Sequence, residues 1–174
     1  TAGCNTAIGA FASYCNQTGT SNTFTGYTAG YSLRCNSHNT GMGFEAMYAT
    51  ATTGNSASHN TAVGSRALRT ICTGACNTAI GSRSQYSNCS GAHNTSVGFC
   101  SLGANVSGSY NVAIGTSSQC SATASQNTSV GYCTLRRVTG GGNNAFGYLA
   151  LYNTTSGTHN VAMGYESSRT MTTG

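Results

Sequence analysis

The chain has no proline, tryptophan, lysine or aspartate, and charged residues fill only 5% of its 174 positions. Each absence excludes something. Without Asp, a Ser-His-Asp triad cannot form, and the carboxylate sets that calcium requires are missing. The two carboxylates present, Glu45 and Glu166, sit too far apart in the repeat order described below to act as a glycosidase pair. Without Lys, glycine runs such as Gly140-Gly141-Gly142 lack the cation of a phosphate loop. No apolar run approaches the 18 or so residues of a membrane-crossing helix, so membrane insertion is not expected. Leu, Ile, Val and Phe number 22 in all, which excludes a thick aliphatic core. That is the apolar poverty of a disordered chain, without the charge that keeps such chains open.

What fills the space is Thr (27), Gly (24), Ser (23) and Asn (17), more than half of the chain. Nine Cys with no CxxC pair favour an oxidising, extracellular setting over zinc or thioredoxin chemistry. Nine is odd, so one thiol at least is free or pairs outside the chain. The net charge of +5 arises from seven Arg. The first residue is Thr and no leader is visible, as expected of a mature product or of a segment of something longer.

A motif of the form Asn-Thr-Ala-Ile-Gly recurs from end to end. It starts at Asn5, Asn22, Asn39, Asn60, Asn77, Asn94, Asn111, Asn127, Asn143 and Asn160, with spacings of 17, 17, 21, 17, 17, 17, 16, 16 and 17. The long period carries its excess in residues 49–55, which reads as a bulged turn. Counting each period from its Asn defines columns. Column 5 is Gly in all ten periods, as a positive φ requires. Column 4 (Ile8, Thr25, Met42, Val63, Ile80, Val97, Ile114, Val130, Phe146, Met163) is mostly apolar, so it is expected to point inward, with column 2, mostly Thr, on the same side. Column 8 holds only Ala, Ser or Thr, which suits a tight inner corner, and a Gly near column 15 marks a second turn. Helix periodicity and good helix formers are both missing. The expected fold is therefore all-β: one repeat domain over 1–174, a β-solenoid (β-helix or β-roll) of about ten 17-residue coils, stacked at about 4.8 Å into a rod about 48 Å long.

The run from Asn143 to Gly157, Asn-Asn-Ala-Phe-Gly-Tyr-Leu-Ala-Leu-Tyr-Asn-Thr-Thr-Ser-Gly, resembles the NTAVGYQALYSNTTG repeat of phage and large-virus tail-fibre proteins. It is similar, more distantly, to the left-handed β-roll heads of trimeric autotransporter adhesins. The resemblance covers all ten periods and implies a fibre or adhesin shaft, often homotrimeric.

Several columns hold side chains with chemical potential. His38, His59, Cys76 and His93 precede the motif Asn on four successive coils, where stacking could bring them towards zinc; a tolerant polar turn is the simpler reading, and no metal or cofactor is expected. Column 10 (Tyr14, Tyr31, Tyr48, Arg69, Tyr86, Arg136, Tyr152, Arg169) and column 6 (Tyr27, Phe44, Phe99, Tyr132, Tyr148, Tyr165) form aromatic stripes. These either stack sugars or bases or, more simply, stack on one another. Dispersed Arg, with Arg66, Arg69 and Arg83 as the one cluster, argues against nucleic acid. Ice binding needs two outward Thr files; column 2 supplies one, and its expected inward aspect counts against it. No catalytic residues are expected, and the chain is not expected to be an enzyme.

Cys72 and Cys89 stand one period apart in one column, which places their Cα atoms about 5 Å apart and predicts a disulfide. Cys15 with Cys35 and Cys120 with Cys133 are weaker pairs, and Cys100 competes for Cys133. Asn16, Asn88, Asn105 and Asn153 begin acceptor sequons, expected to carry glycans on one outer turn in a secreted eukaryotic or algal-virus product; Asn and Gly as plain turn residues are the rival explanation.

No distinct cap is visible at either end, and joining Gly174 to Thr1 would continue the pattern with a 19-residue period. The expectation is a window from a longer repeat or head-to-tail stacking into a filament, with Cys4 available for a bond across the junction. A homotrimer burying a stripe such as column 3 (Ala7, Gly41, Ala62, Ala79) is the rival assembly. The function expected is structural: an extracellular fibre shaft partnered by copies of itself. The alternative is a carbohydrate-binding adhesin on surface glycans, and ice binding is the remote one.

Overall fold

The computed structural model describes residues 3–49 and 56–170. Most of the proposed bulged turn at 49–55 lies outside the described residues. Each motif forms a three-residue strand: β1 (Thr6–Ile8), β2 (Thr23–Thr25), β3 (Thr40–Met42), β4 (Thr61–Val63), β5 (Thr78–Ile80), β6 (Thr95–Val97), β7 (Val112–Ile114), β8 (Thr128–Val130), β9 (Asn144–Phe146) and β10 (Val161–Met163). They pair in chain order as one parallel ten-stranded sheet. Columns meet columns: Thr61 pairs Thr78 and Val63 pairs Ile80. The long period keeps the same register, with Thr40 against Thr61. The fold is thus an all-β solenoid with one motif per coil.

The motif Asn is what this repeat cannot do without. Its side chain lies buried inside the first turn and reads both neighbours. In coil 6, Asn94 Nδ2 donates to Asn77 Oδ1 at 3.1 Å and to the Gly108 carbonyl at 2.8 Å. Its own Oδ1 accepts from the Asn111 backbone N–H and from Asn111 Nδ2, both at 3.0 Å. The Asn-to-Asn step repeats from Asn5 to Asn160, so backbone groups that a turn would leave unpaired find partners inside a dry interior; on the shortened coil Asn127 keeps its backbone N–H and Oδ1 bonds while its buried Nδ2 has no partner among the described residues.

The column-5 glycines take φ between 122° and 137°. A Cβ on Gly81 would lie 2.6 Å from the Gly98 carbonyl oxygen of the next coil, so the stack closes only over bare backbone. Three further left-handed positions per coil are held mostly by other residues, in column 7, in column 9 (Met47, Leu68, Leu102, Leu135 and Leu151 among them) and just before the motif Asn. Each costs roughly 1–2 kcal/mol of backbone strain, offset by cross-coil hydrogen bonds such as Leu68 N–H to Ser84 O at 2.9 Å.

The expected sidedness of the strands is reversed. Columns 2 and 4 face outward, and column 3 faces in: Ala62, Ala79, Ala113 and Ala145 have no exposure, whereas Ile8 is 60% and Met163 72% exposed. The strands do alternate; volume decides the phase. The coil interior beneath a strand is narrow, so the file of Ala, Ser and Gly takes it. The one large inward residue there, Phe24, fits because Gly30 and Gly41 leave its ring the room, a Cβ at either lying 2.6 or 2.8 Å from it. The larger core side chains come instead from column 9 and from column 12 (Leu33, Ile71, Val138). A trimer contact through column 3 is excluded by the same geometry.

The apolar core is interrupted. One cluster runs from Phe24 to Ala79 and a second from Ala122 to Ala162. Between them Gln85 Nε2 donates to Thr78 O at 2.9 Å and to Ser96 Oγ at 3.0 Å, and Gln119 Nε2 donates to Val112 O and Ser129 Oγ, both at 2.8 Å.

Replacing Asn94 with Ala orphans at least two buried backbone groups and should lower unfolding free energy by about 3 kcal/mol. Outward-facing Asn144→Ala should change it by less than about 0.5 kcal/mol. Urea denaturation of both variants checks the contrast, and equal effects would contradict an Asn ladder.

Candidate functional site

The outward file pair makes the most distinctive surface. Across ten strands neither column 2 nor column 4 contains a charged residue, although the chain has nine. Thr and Val alternate with Ile, Met, Val and Phe on a continuous, nearly apolar face. Ile8, Met42, Ile80, Ile114, Phe146, Val161 and Met163 all stand exposed on it.

The aromatic stripe of column 6 borders this face. Tyr27 stacks on Phe44 at 5.7 Å, and Tyr132, Tyr148 and Tyr165 form a column with ring centroids 5.3 and 5.1 Å apart. In column 10, Tyr14, Tyr31 and Tyr48 stack at 5.3 and 5.2 Å, and Arg69 lies between Tyr48 and Tyr86 at 5.2 and 5.7 Å. Within these stacks the rings cover each other's faces, whereas Phe99 of column 6 is half-exposed and has no ring partner among the described contacts. A sugar platform needs a free ring face, so the cross-coil stacking reading fits better.

Glu45 organises the basic cluster. Its Oε2 accepts from Arg66 Nε at 2.9 Å and from Arg69 Nε at 2.7 Å, while Arg66 lies over Phe44. Partial burial alone would raise the Glu45 pKa, but the two guanidinium groups outweigh it and hold the carboxyl below its ordinary range. Arg83 takes no part in this cluster's ion pairs.

The His column stacks without converging. His38 lies on His59 at 4.8 Å and His93 on Tyr110 at 5.0 Å. Among the described residues no group of three ligand-type side chains is placed to hold a metal.

Cys72 and Cys89 are joined as a disulfide, with Cα atoms 4.7 Å apart. Cys15 and Cys35 carry free thiols. Cys120 meets Cys100 rather than Cys133, with Sγ atoms 2.6 Å apart. The expected pairing with Cys133 fails because Cys100 reaches Cys120 from the coil before it.

The expected outer-turn placement does not hold for two of the four sequon Asn residues. Asn88 and Asn105 are fully buried. Asn105 Nδ2 donates to Gly108 O at 2.8 Å and its Oδ1 accepts from Gly108 N–H at 2.9 Å; Asn88 Nδ2 bonds Gly91 O at 3.0 Å. Asn16 makes the same closure on Gly19. Column 12 side chains therefore close the turn on the Gly three residues on. Asn153, one column earlier, is half-buried and is the only one of the four without that closure among the described contacts. Sequence reasoning missed the buried Ser/Gln layer, although Gln85 and Gln119 fall in column 9 where neighbouring coils carry Leu, and each is followed by an inward Ser in the next strand.

No family model matches this chain, and no curated protein or solved structure matches it. Function must therefore be argued from the surface itself.

The depressed Glu45 pKa fixes a sign. The unfolded chain takes up the proton first, so the stabilisation is complete above about pH 4.3 and is lost as pH falls from there through the folded value. Solvent screening keeps the effect below about 1 kcal/mol. With only two side-chain carboxylates in the chain, Glu45→Gln should flatten most of the acid limb of a stability profile followed by thermal melts, and an unchanged limb would contradict the ion-pair geometry.

Proposed function

We propose that this chain is a shaft segment of an extracellular fibre, a structural protein that works by associating with copies of itself. The uncharged outward strand face carries the reading. Ten coils at about 4.8 Å and five residues at about 3.3 Å, from column 2 to the aromatic column 6, give a face of roughly 790 Å². That approaches the ~800 Å² per partner of a standard specific interface. A face of this size, apolar and without charge, is unusual on a chain that remains monomeric.

Of the two assembly modes, the lateral one is favoured. Rods packed in parallel around a common axis, as in a homotrimer, would bury the face along its whole length and leave the Arg-bearing turns in solvent. End-to-end stacking, with Cys4 exposed for a bond, would leave the face uncovered. A disulfide joining coils 4 and 5 fits an oxidising, extracellular setting. With the Thr file facing outward, ice binding loses the objection that column 2 faces inward. The file beside it counters the idea in another way: Met42, Phe146 and Met163 make column 4 uneven, whereas a lattice match needs uniformity. An adhesive surface for glycans is disfavoured by the ring-on-ring stacking.

Sedimentation tests the reading. The chain of 17.6 kDa should run as a discrete small oligomer, a trimer in the favoured arrangement, and the double variant Ile80→Glu/Ile114→Glu should run as a folded monomer. A wild-type chain that stays monomeric at millimolar concentration overturns lateral assembly; filaments of indefinite length would favour stacking through the ends.

A further inference from the structure

Column 10 carries a large side chain on most coils, Tyr or Arg, but Gly103 interrupts it on coil 6 and Cys120 follows on coil 7. The interruption opens a cleft of about 390 Å³ lined by Arg83, Tyr86, Cys100, Gly103, Cys120 and Ser121. The two sulfurs meet at its floor. A Cβ on Gly103 would lie 2.7 Å from Cys100 Sγ and 3.5 Å from Cys120 Sγ, so the bare glycine creates the space in which they touch. The backbone holds them there: Ala104 N–H donates to Cys120 O at 2.9 Å and Cys100 N–H to Ser82 O at 3.0 Å.

We propose that Cys100 and Cys120 form a second, reversible cross-coil disulfide, made by exchange with a small-molecule disulfide that enters this cleft. The exchange is balanced without further reagents. The Cys100 thiolate attacks one sulfur of R–S–S–R, forming Cys100–S–S–R and releasing RS⁻. Cys120 then loses its proton and attacks Cys100 Sγ, which closes the internal bond and expels the second RS⁻. Two cysteine thiols are oxidised, one disulfide is reduced to two thiols, and excess thiol reverses both steps.

The order of attack follows from the surroundings. Burial, and then the Cys100 sulfur against it, push the Cys120 thiol up to about 12. It is therefore held as the neutral thiol, and with both cysteines half-buried at the cleft the first attack falls to Cys100. Cys133 is buried on coil 8 and takes no part. The bond has a structural purpose as well. Cys72–Cys89 ties coils 4 and 5, and Cys100–Cys120 would tie coils 6 and 7. Both then brace the stretch where the apolar core gives way to the Ser/Gln layer.

The test treats the reduced, folded chain with cystine, blocks residual thiols, and maps the digest by mass. The wild-type digest should yield a peptide linking Cys100 to Cys120, two hydrogens lighter than its two reduced halves and separate from the re-formed Cys72–Cys89 link. Cys120→Ser should instead retain a half-cystine on Cys100, and Cys100→Ser should carry none on Cys120. Gly103→Ala, whose backbone φ an alanine can adopt, should keep the wild-type circular dichroism yet lose the linked peptide. Finding Cys100 and Cys120 both blocked by alkylation in the cystine-treated wild type, or Cys120 bonded to Cys133, overturns the proposal, as does an undiminished link in Gly103→Ala.

Discussion

The structure depends on one buried carboxamide per coil. A side chain that accepts through one atom and donates through another can bond its own turn and both neighbouring coils, and Asn is short enough to do so without leaving the turn. The ladder tolerates what the rest of the coil varies. Asn60 bonds Asn39 across the 21-residue period at the same distances, 3.0 and 3.2 Å, as Asn39 bonds Asn22 across 17 residues. Asn127 N–H still reaches Asn111 Oδ1 at 3.0 Å across a shortened coil. Register is therefore kept at the Asn, and loop length is free to drift. In a low-dielectric interior such a chain of bonds is costly to break at any single point.

The thin interior follows from that ladder. With the turns closed on Asn and on stacked column-5 glycines, the space under a strand admits small side chains, and Phe24 enters it where Gly30 and Gly41 give its ring room. Most of the large apolar residues in the strands are therefore sent outward. The result inverts the usual economy of a globular domain: apolar residues in the strands build a surface, and the core relies on Ala, buried Ser and Gln, and Leu held in left-handed backbone. The Ser/Gln layer shows how far this goes, since Gln85 gives up an aliphatic contact for hydrogen bonds to three groups at once. A face that cannot be buried within one chain is a reason for chains to associate.

Much of this was legible in the sequence. The Asn and Gly columns gave the coil length, the all-β solenoid and the strand positions, because both residues are fixed by backbone demands that few others meet. The column match between Cys72 and Cys89 placed those two residues next to each other. Sidedness was not legible, because hydrophobicity was read as inwardness. Ile8 or Ile80 in isolation gives no sign that the space behind the strand is too small for it. The sequons at Asn88 and Asn105 misled for a related reason, since an Asn three residues before a Gly is also what a closed turn needs. Cys100 and Cys120 escaped because their contact runs diagonally across columns and depends on the missing side chain of Gly103.

Side-chain amide exchange of the Asn residues, followed by NMR in deuterated water, reaches the central claim most directly. The Nδ2 protons of Asn39, Asn60, Asn77, Asn94, Asn111 and Asn143 should persist long after that of outward-facing Asn144 has exchanged, and should be lost together as the rod opens. Rapid exchange of those six amides in a chain that keeps its β-sheet signature would contradict the ladder and the account built on it.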